Sequence, residues 1–342
     1  MKVLFQAGVP DIFFPLLEKA GCRIFRFATE TARAHDSFRE HRDAAAVFFR
    51  ANFAFGATEA DLLPALRLAA LVSTGTDNVD AAALQTRGIR LTTGEGANAQ
   101  AVFDYVIQAL LCGGFNPEVH SVGVVGAGRV GSRLLRFLRS VGGRTAYYDP
   151  LLPEPGSLGE VLQCDFVTFH TELTKTGPHK TAGMLDAAYF APAHKKIRVI
   201  QTCRGGIWNP VFYRTFDTTR IELLAQDVYP QEPPAAADVQ RARYATPHIA
   251  GYSTRGRLGG ILKGIEALAP GLSVTGVWPQ GRAWFLDTEA ADFMRRPADF
   301  SAIRDGYFWR KEFDEYDAAE RAAFRARFPG IADDFFAGLF GA

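Results

Sequence analysis

Cysteine is scarce in this 342-residue chain, and an excess of charge of either sign is missing. The four cysteines, Cys22, Cys112, Cys164 and Cys203, lie far apart and form neither a CxxC pair nor a Cys/His ladder of zinc spacing. That argues against a disulfide scaffold, leaves no metal site to expect and fits reduced thiols in the cytoplasm. The 38 basic and 37 acidic residues nearly cancel, so no long-range field draws the chain to nucleic acid or an anionic membrane. Long apolar runs are absent too: none approaches the roughly 18 residues that a membrane span needs. The opening stretch "MKVLFQAGVPDIFFPLLEKAG" reads as strand, turn and helix rather than as a secretory leader. There is no internal repeat and no low-complexity tract. A cytoplasmic protein of about two domains is expected.

What is present is an alternation of short apolar runs with helix-like segments. "KVLF" precedes "DIFFPLLEKAG", "AAAVFF" stands at 44–49, and "LRLAALVST" at 66–74 is followed by "NVDAAALQTRG" and "IRLTT". Strands alternating with helices imply βαβ units and parallel sheets buried on both faces, an α/β class. Residues 99–112, "AQAVFDYVIQALLC", contain neither proline nor glycine and read as one long helix. A fresh strand, turn and helix starts at "SVGVVGAGRVGSRLLRFLRSVGG" and looks like the start of an inserted domain. Beyond 285 the chain is rich in charge and aromatics, with helical spacing in its last third. Such a segment suits either an appendage packed on its own subunit or an oligomerisation element. Glycines and small residues at 94–99 and 251–259 suit a hinge.

"GAGRVG", Gly126 to Gly131, follows an apolar strand and opens a helix. In that context Gly126 permits the tight turn, Gly128 lets backbone approach a pyrophosphate, and Gly131 lets helix and strand pack closely. The helix N-terminus then offers amide donors to the phosphates. Asp149 ends the next strand, where a carboxylate accepts hydrogen bonds from ribose hydroxyls and favours NAD over NADP.

Three later fragments each follow an apolar strand: "QTCRGG" with Arg204, "DVYPQEPP" with Glu232 and "TPHIAGY" with His248. All three can meet at the carboxyl edge of one sheet. A histidine oriented by a carboxylate can take a hydroxyl proton, and an arginine can grip a carboxylate with two parallel bonds. Oxidation of a 2-hydroxy acid needs those groups.

In order and spacing, "GTDNVD", "GANAQAVFDYVIQALL", "VGVVGAGRVGSRL", "CDFVTFHTELTKTGPHKT", "QTCRGG", "DVYPQEP" and "TPHIAGYS" resemble the D-2-hydroxyacid dehydrogenase family. "FHTELTKTGPHKT", "PHIAGYS" and the tail "PADFSAIRDGYFWRKEF" are most similar to its erythronate-4-phosphate dehydrogenase subgroup. The resemblance implies two Rossmann-like doubly wound parallel-sheet domains plus a small C-terminal dimerisation region. The substrate domain would span 1–96 and be completed by 252–284, the NAD domain 97–251 and the dimerisation region 285–342.

It further implies oxidation of 4-phospho-D-erythronate to 2-oxo-3-hydroxy-4-phosphobutanoate in pyridoxal phosphate biosynthesis, by a homodimer. Arg204, Glu232 and His248 match the catalytic motif. Arg129, Val130, Asp149, Thr171, Thr202, Cys203, Asp227 and Gly251 match cofactor contacts, and Ser73 and Tyr252 substrate contacts. Arg50 is retained from a substrate-binding Arg-Ser pair whose serine is here Ala51. Glu172, Gln201 and Asn209 stand where proline, asparagine and aspartate are usual. A general 2-ketoacid reductase acting on a non-phosphorylated substrate and a non-catalytic NAD-binding scaffold stay open beside this reading.

Overall fold

The computed structural model describes residues 1–270, 272, 281–300, 304 and 310–341. It divides into two compact units, one of residues 1–98 and 254–280, the other of 99–253 and 281–342. The chain therefore passes between units after Asn98, after Ser253 and after Gln280.

Unit 1 holds a five-stranded sheet. Its strands are β1 (Lys2–Gln6), β2 (Arg23–Phe27), β3 (Ala44–Phe49), β4 (Leu68–Leu71) and β5 (Arg90–Thr93), all parallel, in the order β2-β1-β3-β4-β5. The central strands β3 and β4 are almost wholly apolar and buried, as a sheet covered on both faces requires. On one face Phe27, Phe38 and Phe53 pack edge to face around β3, with Phe55 tilted against Phe38.

Unit 2 holds six parallel strands: β6 (Ser121–Val125), β7 (Arg144–Tyr148), β8 (Phe166–Phe169), β9 (Ile197–Gln201), β10 (Ile221–Gln226) and β11 (Ala242–Ala245). Their order is β11-β10-β9-β8-β6-β7, so the winding reverses between β6 and β8. In open α/β sheets that reversal leaves a crevice at the carboxyl ends, where ligands bind. The strands that carry the Arg204, Glu232 and His248 loops, β9, β10 and β11, are consecutive neighbours.

The Ala99–Cys112 helix is apolar around nearly its whole circumference, and Ala99 and residues 101–111 are all buried. A helix of that kind must be covered on every side. The Arg129–Ser140 helix covers one side, with Phe103 edge-on to Phe137 at 5.5 Å. The C-terminal segment covers another: Tyr105 lies 5.6 Å from Trp284, while buried Gln108 donates to the Trp284 carbonyl and accepts from Leu286 N. Phe313, Tyr316, Phe324, Phe335 and Phe340 extend the same core. The described residues of 281–341 thus complete the core of unit 2 within one chain. Parts of the tail motif, residues 301–303 and 305–309, and residues 271 and 273–280 lie outside the described residues.

Candidate active site

His248 leaves β11 in an unusual backbone state. Its φ is 59°, and it is the one non-glycine residue with positive φ among the described residues. Such a conformation costs about 1–2 kcal/mol for an L-residue and persists only where the surroundings impose it. Asp227, fully buried just past β10, supplies much of that constraint. Its Oδ1 accepts from Ile249 N at 2.7 Å and from the Thr246 hydroxyl at 2.6 Å, and its Oδ2 accepts from Ala250 N at 2.8 Å. Because the Thr246 hydroxyl donates to Asp227, the Tyr105 hydroxyl 2.7 Å away donates to Thr246.

So held, His248 places Nδ1 2.8 Å from Glu232 Oε2. The second carboxylate oxygen of Glu232 accepts from Tyr229 N at 3.2 Å, and the Tyr229 hydroxyl donates to the Thr246 carbonyl. The two loops are therefore cross-braced. The His248 and Glu232 side chains keep 40% and 23% exposure, enough for a ligand to reach the imidazole.

The surroundings set the charges. Although partly open, the ring sits in dense protein, and burial pulls its pKa down. The hydrogen bond and charge of Glu232, with the charge of Asp227, outweigh this and leave His248 above the ordinary histidine value; Arg204 acts in the opposite sense. Burial likewise pushes Glu232 up, but His248 dominates and holds its carboxyl below the usual range. Asp227 is raised by burial, against the pull of His248 and its own hydrogen bonds.

Arg204 follows β9 and leads into a short 3-10 turn, Gly205–Ile207. Gly205 has a steric reason: a Cβ there would lie 1.6 Å from the Tyr229 carbonyl oxygen. The arginine loop and the Glu232 loop thus touch backbone to backbone. Gln201 secures the turn, its amide donating to the Arg204 carbonyl at 2.9 Å and its carbonyl accepting from the Cys203 thiol. Asn209 caps the Pro210–Thr215 helix by accepting from Val211 N and Phe212 N. Both residues that depart from the subgroup's pattern around this loop therefore support its shape.

At the β6/β8 reversal stands the glycine turn. Gly126 has φ +87°, and a Cβ there would lie 2.9 Å from the His170 carbonyl. A Cβ on Gly131 would lie 2.0 Å from the Gly126 carbonyl oxygen, whereas one on Gly128 would meet nothing within 4 Å. Asp149 braces this turn, its Oδ2 accepting from Ala127 N at 2.9 Å and its Oδ1 from Leu151 N at 3.0 Å.

Residues 110–250 match the family described as D-isomer specific 2-hydroxyacid dehydrogenase, NAD binding domain. An erythronate-4-phosphate dehydrogenase of Teredinibacter turnerae is 30% identical over 281 residues, covering 71% of this chain and 76% of that one. The chain belongs to the D-isomer specific 2-hydroxyacid dehydrogenase family. The erythronate-4-phosphate dehydrogenase of Serratia proteamaculans is 35% identical over 208 residues, 57% of this chain; the match spans little over half of that relative's length, 56%. Among solved structures, the 3-phosphoglycerate dehydrogenase of Entamoeba histolytica with bound NAD+ superposes with a TM-score of 0.65 at 18% identity. It covers 80% of this chain and 97% of that one. The likeness establishes the fold.

NAD, the family's cofactor, fits the residues present. Gly126 and Gly131 admit no side chain, Gly128 faces open space, and the N-terminus of the Arg129–Ser140 helix has no side-chain cap, as a pyrophosphate cradle demands. Arg129 and Val130 begin that helix. Thr171, past β8, approaches Cys203, their Oγ1 and Sγ 3.9 Å apart, and the buried Thr202 hydroxyl has no hydrogen-bond partner among the described residues. A polar group buried without a partner is costly, and a ligand donor or acceptor relieves it. Asp227, which the resemblance places among the cofactor contacts, accepts from Thr246, Ile249 N and Ala250 N of the His248 loop. Gly251 and Tyr252 continue that loop, with Tyr252 N bonded to the Ile249 carbonyl.

Arg50 and Ser73 belong to unit 1, past the carboxyl ends of β3 and β4. The Arg50 amide donates to Gln6 Oε1 at 2.7 Å, and the buried Ser73 hydroxyl has no partner among the described residues. Reading the sequence missed Tyr105, Thr246, Tyr229 and Gly205. Only Gly205, one of two glycines after the arginine, left a signal there.

Proposed function

We propose that this chain oxidises 4-phospho-D-erythronate to 2-oxo-3-hydroxy-4-phosphobutanoate with NAD. The observation that carries the reading is the 2.8 Å bond from His248 Nδ1 to Glu232, on a loop beside the one that bears Arg204. Glu232, ionised near neutrality, accepts from Nδ1–H and so leaves the lone pair on Nε2. Nε2 takes the proton of the substrate's C2 hydroxyl, and Glu232 stabilises the imidazolium that results. Arg204 holds the substrate carboxylate and polarises the C2 oxygen as it becomes a carbonyl. Bound NAD supplies the acceptor for the hydride leaving C2.

Gly126, Gly128, Arg129, Val130, Gly131, Asp149, Thr171, Thr202, Cys203, Asp227 and Gly251 would hold the cofactor, and Arg50, Ser73 and Tyr252 the phosphorylated substrate. The names of the relatives support this substrate. The same reading carries a homodimer, which sedimentation tests, and a cytoplasmic location. No helix among the described residues is long and apolar enough to cross a membrane. The deciding assay follows NADH absorbance with 4-phosphoerythronate against D-lactate and D-glycerate. Turnover of the phosphorylated acid is expected. Turnover of only the non-phosphorylated acids would instead assign a general 2-hydroxyacid dehydrogenase, consistent with Ala51 at the substrate position.

A further inference from the structure

We infer that Arg310, in the C-terminal segment, is a positioning residue for the His248 loop. The inference rests on the reading of His248 as the proton acceptor.

The left-handed turn at His248 is held from several sides. Its own N–H donates to the Thr246 carbonyl at 3.0 Å, and Asp227 takes the amides of Ile249 and Ala250. The carbonyl of Ala250 turns the other way and accepts from Arg310 Nη2 at 2.7 Å. Asp227 and Arg310 therefore grip Ala250 by its amide and its carbonyl, one from the end of β10 and the other from the tail. Three residues on, the Ser253 hydroxyl donates to Glu312 Oε1 at 2.6 Å, a second tie from the same segment.

Arg310 is itself firmly placed. It is 1% exposed, and its guanidinium lies 4.5 Å over the Trp284 ring. Nη2 also donates to the Ala101 carbonyl at 2.5 Å, in the first turn of the Ala99–Cys112 helix. Its backbone pairs with Arg282, Lys311 N donates to the Arg282 carbonyl, and Phe313 N donates to buried Asp104. Burying a guanidinium is expensive, and an apolar side chain fills a core at lower cost. What an apolar side chain cannot do is bridge two carbonyls, one on a rigid helix and one on the catalytic loop. Nε and Nη1 of Arg310 have no hydrogen-bond partner among the described residues, so this bridge is where its hydrogen bonding goes.

If the loop is released, the ring drifts from Glu232 while Asp227 and Arg204 still act on it. The His248 midpoint should then fall towards the ordinary histidine value. The test uses the full chain with Arg310→Met, Arg310→Lys and, as control, Lys311→Met. Lys311 pairs with Glu320 in the same segment and makes no bond to the loop. His248 is titrated by NMR, with His248→Asn assigning its resonance, and kcat is measured beside thermal unfolding.

Arg310→Met is expected to lose about tenfold or more in kcat, as misplacement of a reacting group does, with a lowered His248 midpoint. Arg310→Lys should restore part of both, and Lys311→Met should lower Tm alone. An unchanged midpoint, with kcat falling only as the folded fraction falls, would overturn the inference and leave Arg310 a packing residue. Should Arg310→Met not fold, the midpoint in Arg310→Lys decides in the same way. Turnover surviving in His248→Asn would sink the proton-acceptor reading alone. In that event assignment by His248→Asn and titration still report whether Arg310 places the ring.

Discussion

The glycine turn at 126–131 and the loop at 246–253 both take backbone where side-chain-bearing residues rarely go, and they do so by opposite means. In the turn the local sequence suffices: Gly126 adopts φ +87° without a Cβ, and Gly131 presses on the Gly126 carbonyl because nothing projects from it. In the loop a histidine adopts φ 59° because Asp227, Tyr105 through Thr246, and Arg310 impose it from outside. A cradle for phosphates needs bare backbone, which glycine provides. A proton acceptor needs its side chain, so the conformation has to be imposed by other parts of the fold.

The largest effect that separates the two regions comes from His248→Ala. Loss of a general base costs about 10²–10⁴-fold in rate, so kcat should fall by that factor. NAD affinity, read by calorimetry, should stay within about twofold, since the glycine turn is untouched. Equal losses of kcat and NAD affinity would show that the two regions do not act separately.

Gly131→Ala should do the converse. Its Cβ would meet the Gly126 carbonyl oxygen at 2.0 Å, and overpacking of this kind costs about 1–3 kcal/mol. NAD affinity should weaken by about 5–150-fold by that arithmetic, while the His248 midpoint by NMR stays where it was. Parental NAD affinity would contradict the assigned cradle.

These contrasts explain what could be read in advance. The Ala99–Cys112 helix and β3 were legible to the residue, since apolar pattern and the absence of breakers act locally. The apolar run at 66–74 overstated its strand, because β4 pairs over only four residues with β5. Asp149 could be placed at the end of its strand, but its bonds to Ala127 and Leu151 could not. The bracing of His248 was least legible: Tyr105 reaches Thr246 across 141 positions and Arg310 reaches Ala250 across 60. No spacing rule spans such separations. Likewise, the aromatic tail could have served either a partner or its own subunit, and only packing shows that it covers the Ala99–Cys112 helix.

A smaller effect lies in pH dependence. On the proposed mechanism oxidation needs neutral His248, so its rate should fall as pH drops through a midpoint lying above the ordinary histidine value of about 6.5. Glu232→Gln removes the hydrogen-bonded charge that raises the midpoint, leaving burial and Arg204 against Asp227. The kcat/KM profile should therefore shift to lower pH as the maximal rate drops. A shift to higher pH would mean that Glu232 does not stabilise the imidazolium.

The smallest effect tests the backbone itself. If the fold imposes the left-handed turn whatever residue occupies 248, then alanine there pays the Cβ penalty of about 1–2 kcal/mol that glycine avoids. Glycine in turn gives up roughly 0.5–1 kcal/mol through the greater freedom of its unfolded chain. Neither variant carries the imidazole, so the Glu232 contact cancels in the comparison. His248→Gly should consequently unfold at slightly higher urea than His248→Ala, by up to about 1.5 kcal/mol on these figures. If alanine were the more stable, the loop would be relaxing to ordinary φ once the histidine is gone. The strain would then be maintained by the His248–Glu232 bond rather than by Asp227 and Arg310, and the contrast with the glycine turn would rest on one side chain instead of on the surrounding fold.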